Sequence, residues 1–397
     1  MNSSDKTYIE LIPKTDLHVH LDGSLRLPTL IELAAGENVE LPSTTPEGLL
    51  ETVFKEQYKD LPEYLSGFAY TVSVMQKAEH LERISYELAI DNLEENVRYI
   101  EVRFAPQLHI HEGLSMREVL QAVARGLDRA KSEHNRDLAE GDMRFEYGII
   151  VCALRWFNEH MSDYYGKLFH VMSYADPVEV FSAASLELAR AAIKLRDEGI
   201  PVVGLDLAGA EAGNPAVDHR KAYQLAHENF LFTTVHAGEA YGPESIFQAI
   251  TDCHANRIGH GTHLFAHEKI QSAKIRNPER YVEELSEYIA AERIPIEVNL
   301  TSNLQTLSEI KSVAEHPLKK MIEHHVAANI CTDNRLVSRT TVTRELCLAA
   351  DHLELTRKQI KNLVIAGFKG AFFPGSYIEK RAYVREAINR LNALDED

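Results

Sequence analysis

The sequence predicts an α/β protein built as a (β/α)8 TIM barrel. Three observations carry this reading. Eight short apolar, β-branched runs alternate with helix-like stretches along the chain. Polar residues gather at the C-terminal ends of many of these runs, and in a barrel those ends share one rim where the active site is built. No run is followed by a GxGxxG turn or a phosphate-binding loop, so the alternative, a doubly wound open sheet, lacks its usual support.

In chain order the strand candidates are 15–22, 98–106, 145–154, 201–209, 231–239, 256–261, 294–302 and 325–333. Between them lie stretches such as "SMREVLQAVARGLDRAKSEH" and "DPVEVFSAASLELARAAIKLRDEG". Their apolar residues recur three and four positions apart, as on one helix face. Strands apolar on both faces, alternating with helices, specify a parallel sheet. The span 24–97 is too long for one crossover helix. It contains "PTLIELAAG", "LPEYLSGFAYTVSVMQ" and "HLERISYELAIDNLEEN", and reads as a helical insertion over the barrel mouth after the first strand. The tail beyond about 340 reads as C-terminal helices that close a single domain spanning 1–397.

The bulk composition agrees with one large globular domain. The chain has 397 residues, of which 45% are hydrophobic and 26% charged. Its net charge of −18 argues against a nucleic-acid partner, which needs a basic stripe. Cys152, Cys253, Cys331 and Cys347 lie far apart and form no CxxC pair. That argues against a disulfide framework or a thiolate metal site, and for reduced thiols in a cytoplasmic protein. The N-terminus has no apolar signal-peptide core and no run has the length of a membrane span, so no membrane partner is expected. No feature specifies an oligomeric state.

The polar residues at the strand ends carry the chemistry. In "TDLHVHLDGSL", His18, His20 and Asp22 alternate with Leu17, Val19 and Leu21 and therefore share one face. A lone buried histidine is ordinarily structural, but two on one face at a strand end form a bidentate metal clamp. The fifth strand ends with His236 and Glu239, the sixth with His260, and the eighth with Asp333 and Asn334. His18, His20, His236 and Asp333 make a set suited to one Zn2+ per chain; iron, manganese or cobalt accept similar ligands. The fourth strand ends "GLDLAG" without the lysine that bridges two metals in binuclear barrel hydrolases, so a single ion is expected. The remaining histidines, among them His80, His109, His219 and His316, read as solvated or capping, with His263 near the mouth.

"HVHLDGSL", "LPEYLSGF", "YIEVRFAPQLH", "GLDLAGAE", "TVHAGE", "RIGHGTH", "EVNLTSNLQT" and "TDN" occur in order through nearly the whole chain. Together they resemble the adenosine deaminase family of the amidohydrolase superfamily. The resemblance implies a one-zinc barrel that hydrolyses adenosine and 2′-deoxyadenosine to inosine and 2′-deoxyinosine plus ammonia in purine salvage. It implies His18, His20, His236 and Asp333 as ligands. Glu239 matches the acid that protonates purine N1, and His260, with Asp333, aligns the attacking hydroxide. Asp22 matches the acceptor for the ribose 5′-hydroxyl, and Gly209 the N–H at N3. Tyr64 and Phe68 fall where an apolar lid covers the base. Because N1 must be protonated, Glu239 is expected to have a raised pKa.

The chain departs from the family pattern at several points. "TDNR" stands where many members have "TDDP". Asn334 carries an amide NH2 that can donate to purine N7, and Arg335 adds a charge that pairs with a carboxylate or meets a substrate extension. Asn299 and Leu300 replace a Cys-Pro pair, and Ser302 and Asn303 read as structural rather than catalytic. The nearest rival is a sibling deaminase acting on adenine, AMP or a modified adenine nucleoside. Arg103, Arg155 and Arg335 are its rim candidates for phosphate, which Asp22 would repel. A non-catalytic relative would have lost a ligand or the acid, and none is lost here.

Overall fold

The computed structural model describes residues 3–59 and 61–396. Its eight strands are β1 (Lys14–His20), β2 (Val97–Phe104), β3 (Glu146–Leu154), β4 (Val202–Ala208), β5 (Phe232–Ala237), β6 (Arg257–His260), β7 (Ile296–Val298) and β8 (Ala328–Ile330). They pair in parallel in the order β1 to β8. The circle closes beyond the end of β8, where the His20 N–H donates to the Asp333 carbonyl at 2.7 Å and the Asp333 N–H to the His18 carbonyl at 2.7 Å. Barrel closure thus runs through three of the candidate metal ligands, His18, His20 and Asp333.

Every expected strand is present, but most are shorter than the sequence suggested. The run 294–302 holds only three strand residues, and Leu300–Thr306 is a helix. Likewise 325–333 holds only Ala328–Ile330. At the ends of β6 and β8 the backbone leaves the ladder at His260 and Asp333. They have φ of +64° and +60°, a left-handed conformation that costs roughly 1 kcal/mol or more for residues with a Cβ.

Five helices lie between β1 and β2: Leu27–Glu37, Pro46–Thr52, Leu61–Ser66, Phe68–Ser73 and Ala78–Glu94. Ala78–Glu94 packs on β2 and on the next helix, Met116–Arg136, in the position of an ordinary crossover helix. The two approach so closely that a Cβ on Gly126 would lie 2.1 Å from the Glu82 carbonyl oxygen. Leu61–Ser66 instead meets Leu300–Thr306 beyond the end of β7, at the C-terminal mouth.

Val342–His352, Arg357–Gly370 and Tyr377–Glu396 form the C-terminal helices, and Arg357–Gly370 covers β1 and β8. A further helix, Ser3–Leu11, precedes the barrel. Its last carbonyls, otherwise orphaned, accept from the buried Lys14 Nζ: Ile9 at 2.8 Å, Glu10 at 3.2 Å and, just beyond, Ile12 at 2.9 Å. Burial lowers the Lys14 pKa to about 7. Among the described residues no helix is long and apolar enough to cross a membrane. Cys152, Cys253, Cys331 and Cys347 are all free thiols.

The barrel interior is not wholly apolar. Arg257, buried, bonds Glu101 and donates from Nε to Glu297 at 2.6 Å; Arg103 donates to Glu297 at 2.9 Å and Asp206 at 3.0 Å. Such a ladder tolerates burial only while every charge keeps its partner. Glu101→Ala should therefore destabilise the protein by about 3–5 kcal/mol, measured by chemical denaturation, because it strips a carboxylate from a buried guanidinium.

Candidate active site

β1, β5, β6 and the turn after β8 bring His18, His20, His236, His260 and Asp333 together at the C-terminal mouth. His18 Nε2 and His20 Nε2 each lie 3.4 Å from Asp333 Oδ1, and His20 Nε2 lies 3.2 Å from His236 Nε2. The His18 ring sits 4.5 Å from that of His236 and 5.0 Å from that of His260, centroid to centroid. One ligand atom from each of His18, His236, His260 and Asp333 fits within 4.8 Å of the others, a grouping that includes His260 and leaves out the expected His20.

The groups behind the rings fix which nitrogen faces inward. His18 Nδ1–H donates to Glu297 at 2.8 Å, and His236 Nδ1–H to Asp206 at 3.1 Å. Both rings therefore direct an Nε2 lone pair into the cluster, the arrangement in which a carboxylate orients a metal-binding imidazole. His18 Nε2 is buried without a hydrogen-bond partner. Two inward lone pairs, a third imidazole and an anionic carboxylate form a donor set that a divalent cation fits. Burial pushes Asp333 up, but the adjacent His18, His20 and His260 imidazoles outweigh it and hold it well below the usual carboxylate range.

Glu239 lies beyond β5, with Oε2 3.9 Å from His260 Nε2. Burial, then the charges of Asp333 and Glu211, raise its pKa to about 8, so it carries a proton at neutral pH. Thr306 Oγ1 donates to its other oxygen at 3.2 Å. Glu211 holds the turn in place by accepting from the N–H groups of Gly238, Glu239, Ala240 and Tyr241 at 2.6–3.1 Å. Gly238 enters that turn at φ +70°.

Asp22 falls two residues past β1, buried, with Oδ1 unpartnered and its pKa raised by burial to about 7. Gly209 stands immediately after β4 at φ +93°. Tyr64 and Phe68 come from the short helices over the mouth, their rings 6.5 Å apart. Asn334 Nδ2 donates to the Tyr64 hydroxyl at 2.8 Å, leaving one amide hydrogen for any further partner. Its Oδ1 lies 1.8 Å from where a Cβ on Gly23 would be, so Gly23 is required by the approach of Asn334 and not by a left-handed turn.

The three arginines are all engaged. Arg335 pairs with Glu95 at 2.5 Å, Arg103 lies in the interior ladder, and Arg155 donates to the carbonyls of Asn214 and His236 at 2.5 and 2.6 Å. Several histidines expected to be solvated are instead buried. His80 bonds the Val74 carbonyl, His219 bonds Ser185, His316 bonds Asn303, and His109 packs against Phe104. Apolar neighbours from other elements enclose these loop and helix positions, which local sequence does not report. His263 pairs with Glu309 at 3.1 Å. Ser302, read as structural, donates to Asp333 Oδ2 at 2.6 Å, and Asn303 and Asn299 reach His260 Nδ1 at 2.9 and 3.3 Å.

Glu297, Asp206, Glu211 and Thr306 were not foreseen as parts of the site, and Arg103, expected at the rim, lies behind it in the interior ladder. The available signal was a carboxylate inside an otherwise apolar strand, as in "IPIEVNL" and "GLDLAG".

A histidine–carboxylate cluster beside a protonated buried acid, at the C-terminal mouth of an eight-stranded barrel, defines a hydrolase of the amidohydrolase type. Residues 13–390 match the adenosine deaminase family model, and the chain belongs to that family: it is a hydrolytic deaminase acting on C–N bonds. It is 36% identical over 387 residues to adenosine deaminase 1 of Streptomyces coelicolor, spanning 96% of this chain and 87% of that one. Among solved structures, the N6-methyl-AMP deaminase of Arabidopsis thaliana superposes with a TM-score of 0.70 at 25% identity, over 97% of this chain and 98% of that one. The adenine deaminase of Arthrobacter aurescens superposes with a TM-score of 0.73 at 21% identity, over 96% and 99%.

Glu297→Gln should weaken divalent-metal affinity by about 10–100-fold, measured by chelator competition, because it removes the carboxylate behind His18.

Proposed function

We propose that the protein hydrolyses adenosine and 2′-deoxyadenosine to inosine and 2′-deoxyinosine plus ammonia, with one zinc ion per chain, in purine salvage. The observation that carries this is the place of Glu239, a buried carboxyl with Oε2 3.9 Å from His260 Nε2, whose pKa burial raises. A buried carboxylic acid beside the histidine cluster is what protonation of N1 requires when the purine ring loses aromaticity at C6.

His18, His20, His236 and Asp333 would hold the ion. When bound, it supplies hydroxide at neutral pH by lowering the pKa of water to about 7. Asp333 and His260 Nε2 would orient an oxygen nucleophile towards C6. Glu239 donates its proton to N1 as electrons move onto the ring. Asp22, whose Oδ1 lacks a partner, accepts from the 5′-hydroxyl. The Gly209 N–H meets N3, the free amide hydrogen of Asn334 meets N7, and Tyr64 and Phe68 cover the base.

The likeness to an N6-methyl-AMP deaminase favours a second reading, a nucleotide substrate. A phosphate needs cationic partners, and the guanidiniums of Arg103, Arg155 and Arg335 each already donate to protein carboxylates or carbonyls. Asp22, a buried carboxyl, offers no cation where a 5′-phosphate would lie. An uncharged nucleoside meets neither obstacle.

Adenosine incubated with metal-replete protein should lose its absorbance to that of inosine and release ammonia, faster than AMP or adenine. No ammonia from adenosine, or AMP as the better substrate, overturns the assignment. Glu239→Gln should lower kcat by at least about 100-fold, with zinc content by elemental analysis unchanged. Because the pKa of Glu239 is raised, the catalytic proton is present at low pH and lost as pH rises through the folded value. A bound cation draws that value down from about 8. Rate measurements should therefore show kcat/KM falling on the alkaline side.

A further inference from the structure

We propose that His316 and Asn303 are positioning residues that set the tautomer of His260 through a one-way hydrogen-bond relay beginning at the backbone N–H of Leu318.

The relay starts with a group that can only donate. The Leu318 N–H reaches His316 Nδ1 at 3.2 Å, so that nitrogen is an acceptor. His316 is buried, and burial lowers its pKa to about 3, leaving a neutral ring whose one proton is on Nε2. Nε2–H donates to Asn303 Oδ1 at 3.2 Å. This orients the amide, whose Nδ2 donates to His260 Nδ1 at 2.9 Å. A neutral His260 that accepts at Nδ1 carries its proton on Nε2. The opposite polarity would turn the Asn303 amide over, place a proton on His316 Nδ1 and set it against the Leu318 N–H. Two donors would then face each other in a buried site.

The consequence separates His260 from its neighbours. His18 and His236 donate outward from Nδ1 to carboxylates and turn lone pairs inward. His260 accepts from amides and turns an N–H inward, and its Nε2 is buried without a partner. The geometric cluster that includes His260 is therefore no ligand set, and His260 is a donor to an oxygen nucleophile. This inference rests on the deaminase reading above for what the donor serves. Asn299, which replaces a cysteine of the family pattern, adds a second amide donor to His260 Nδ1 at 3.3 Å.

The test is tautomer assignment by long-range 1H–15N correlation on 15N-histidine-labelled, zinc-loaded protein, with His260→Gln and His316→Gln identifying the two rings. Both rings should carry their proton on Nε2. Asn303→Asp offers only acceptors and should move the His260 proton to Nδ1, because the Asn299 amide can rotate its unused Oδ1 inward. Zinc content should stay constant while kcat for adenosine falls about 100-fold. If Asn303→Asp does not fold, His316→Gln should keep the Nε2–H form of His260 and His316→Leu should lose it. His260 protonated on Nδ1 or metal-bound through Nε2 in the unaltered protein overturns the relay. So does retention of its Nε2–H form in Asn303→Asp or His316→Leu. Correct tautomers without adenosine turnover would instead defeat the proposed function and leave the relay standing.

Discussion

The Glu297 carboxylate is the interaction on which the barrel and its site both depend. It accepts from His18 Nδ1, Arg103, Arg257 and, at 3.2 Å, Thr234 Oγ1. These donors come from β1, β2, β6 and β5, so one carboxylate on β7 ties five strands together. A fully buried negative charge is tolerated here because its acceptor sites are filled and two guanidiniums balance it. The same atoms that satisfy the folding requirement aim the His18 lone pair, so the fold cannot lose this contact without altering the histidine cluster.

Two buried glutamates meet opposite fates for the same reason. Burial pushes Glu297 up, but Arg103 and Arg257 outweigh it and hold it ionised. Burial also pushes Glu239 up, and its nearest charges, Asp333 and Glu211, push in the same direction, so it keeps its proton. One is an anion that orients an imidazole and the other a protonated carboxyl. The cations around each, and not its residue type or its burial, separate them.

The arginines make the corresponding point about the substrate. Three of them looked available at the rim, yet each is drawn behind it by a carboxylate or a carbonyl. Arg335 in particular completes a buried pair with Glu95 and also reaches Asn92 at 3.3 Å. The mouth is left with Asp22, Glu239 and amide groups as its polar surface, which suits a neutral, hydrogen-bonding ligand.

Local patterning in the sequence determined the eight-strand alternation, and with it the shared rim for His18, His20, His236, His260 and Asp333. It could do so because side-chain direction in a strand follows a period of two, and strand ends are marked by the loss of apolar residues. The terminal helix Ser3–Leu11 and the start of helix Leu300–Thr306 escaped it, since short elements take their conformation from what they pack against. Only the tertiary structure decided which partners stand behind each ring: Glu297 lies 279 positions from His18, and Asp206 lies 30 from His236. Contacts so distant in the chain leave no periodic trace. Proton placement on each imidazole, the protonation of Glu239 and the capture of the arginines all depend on them.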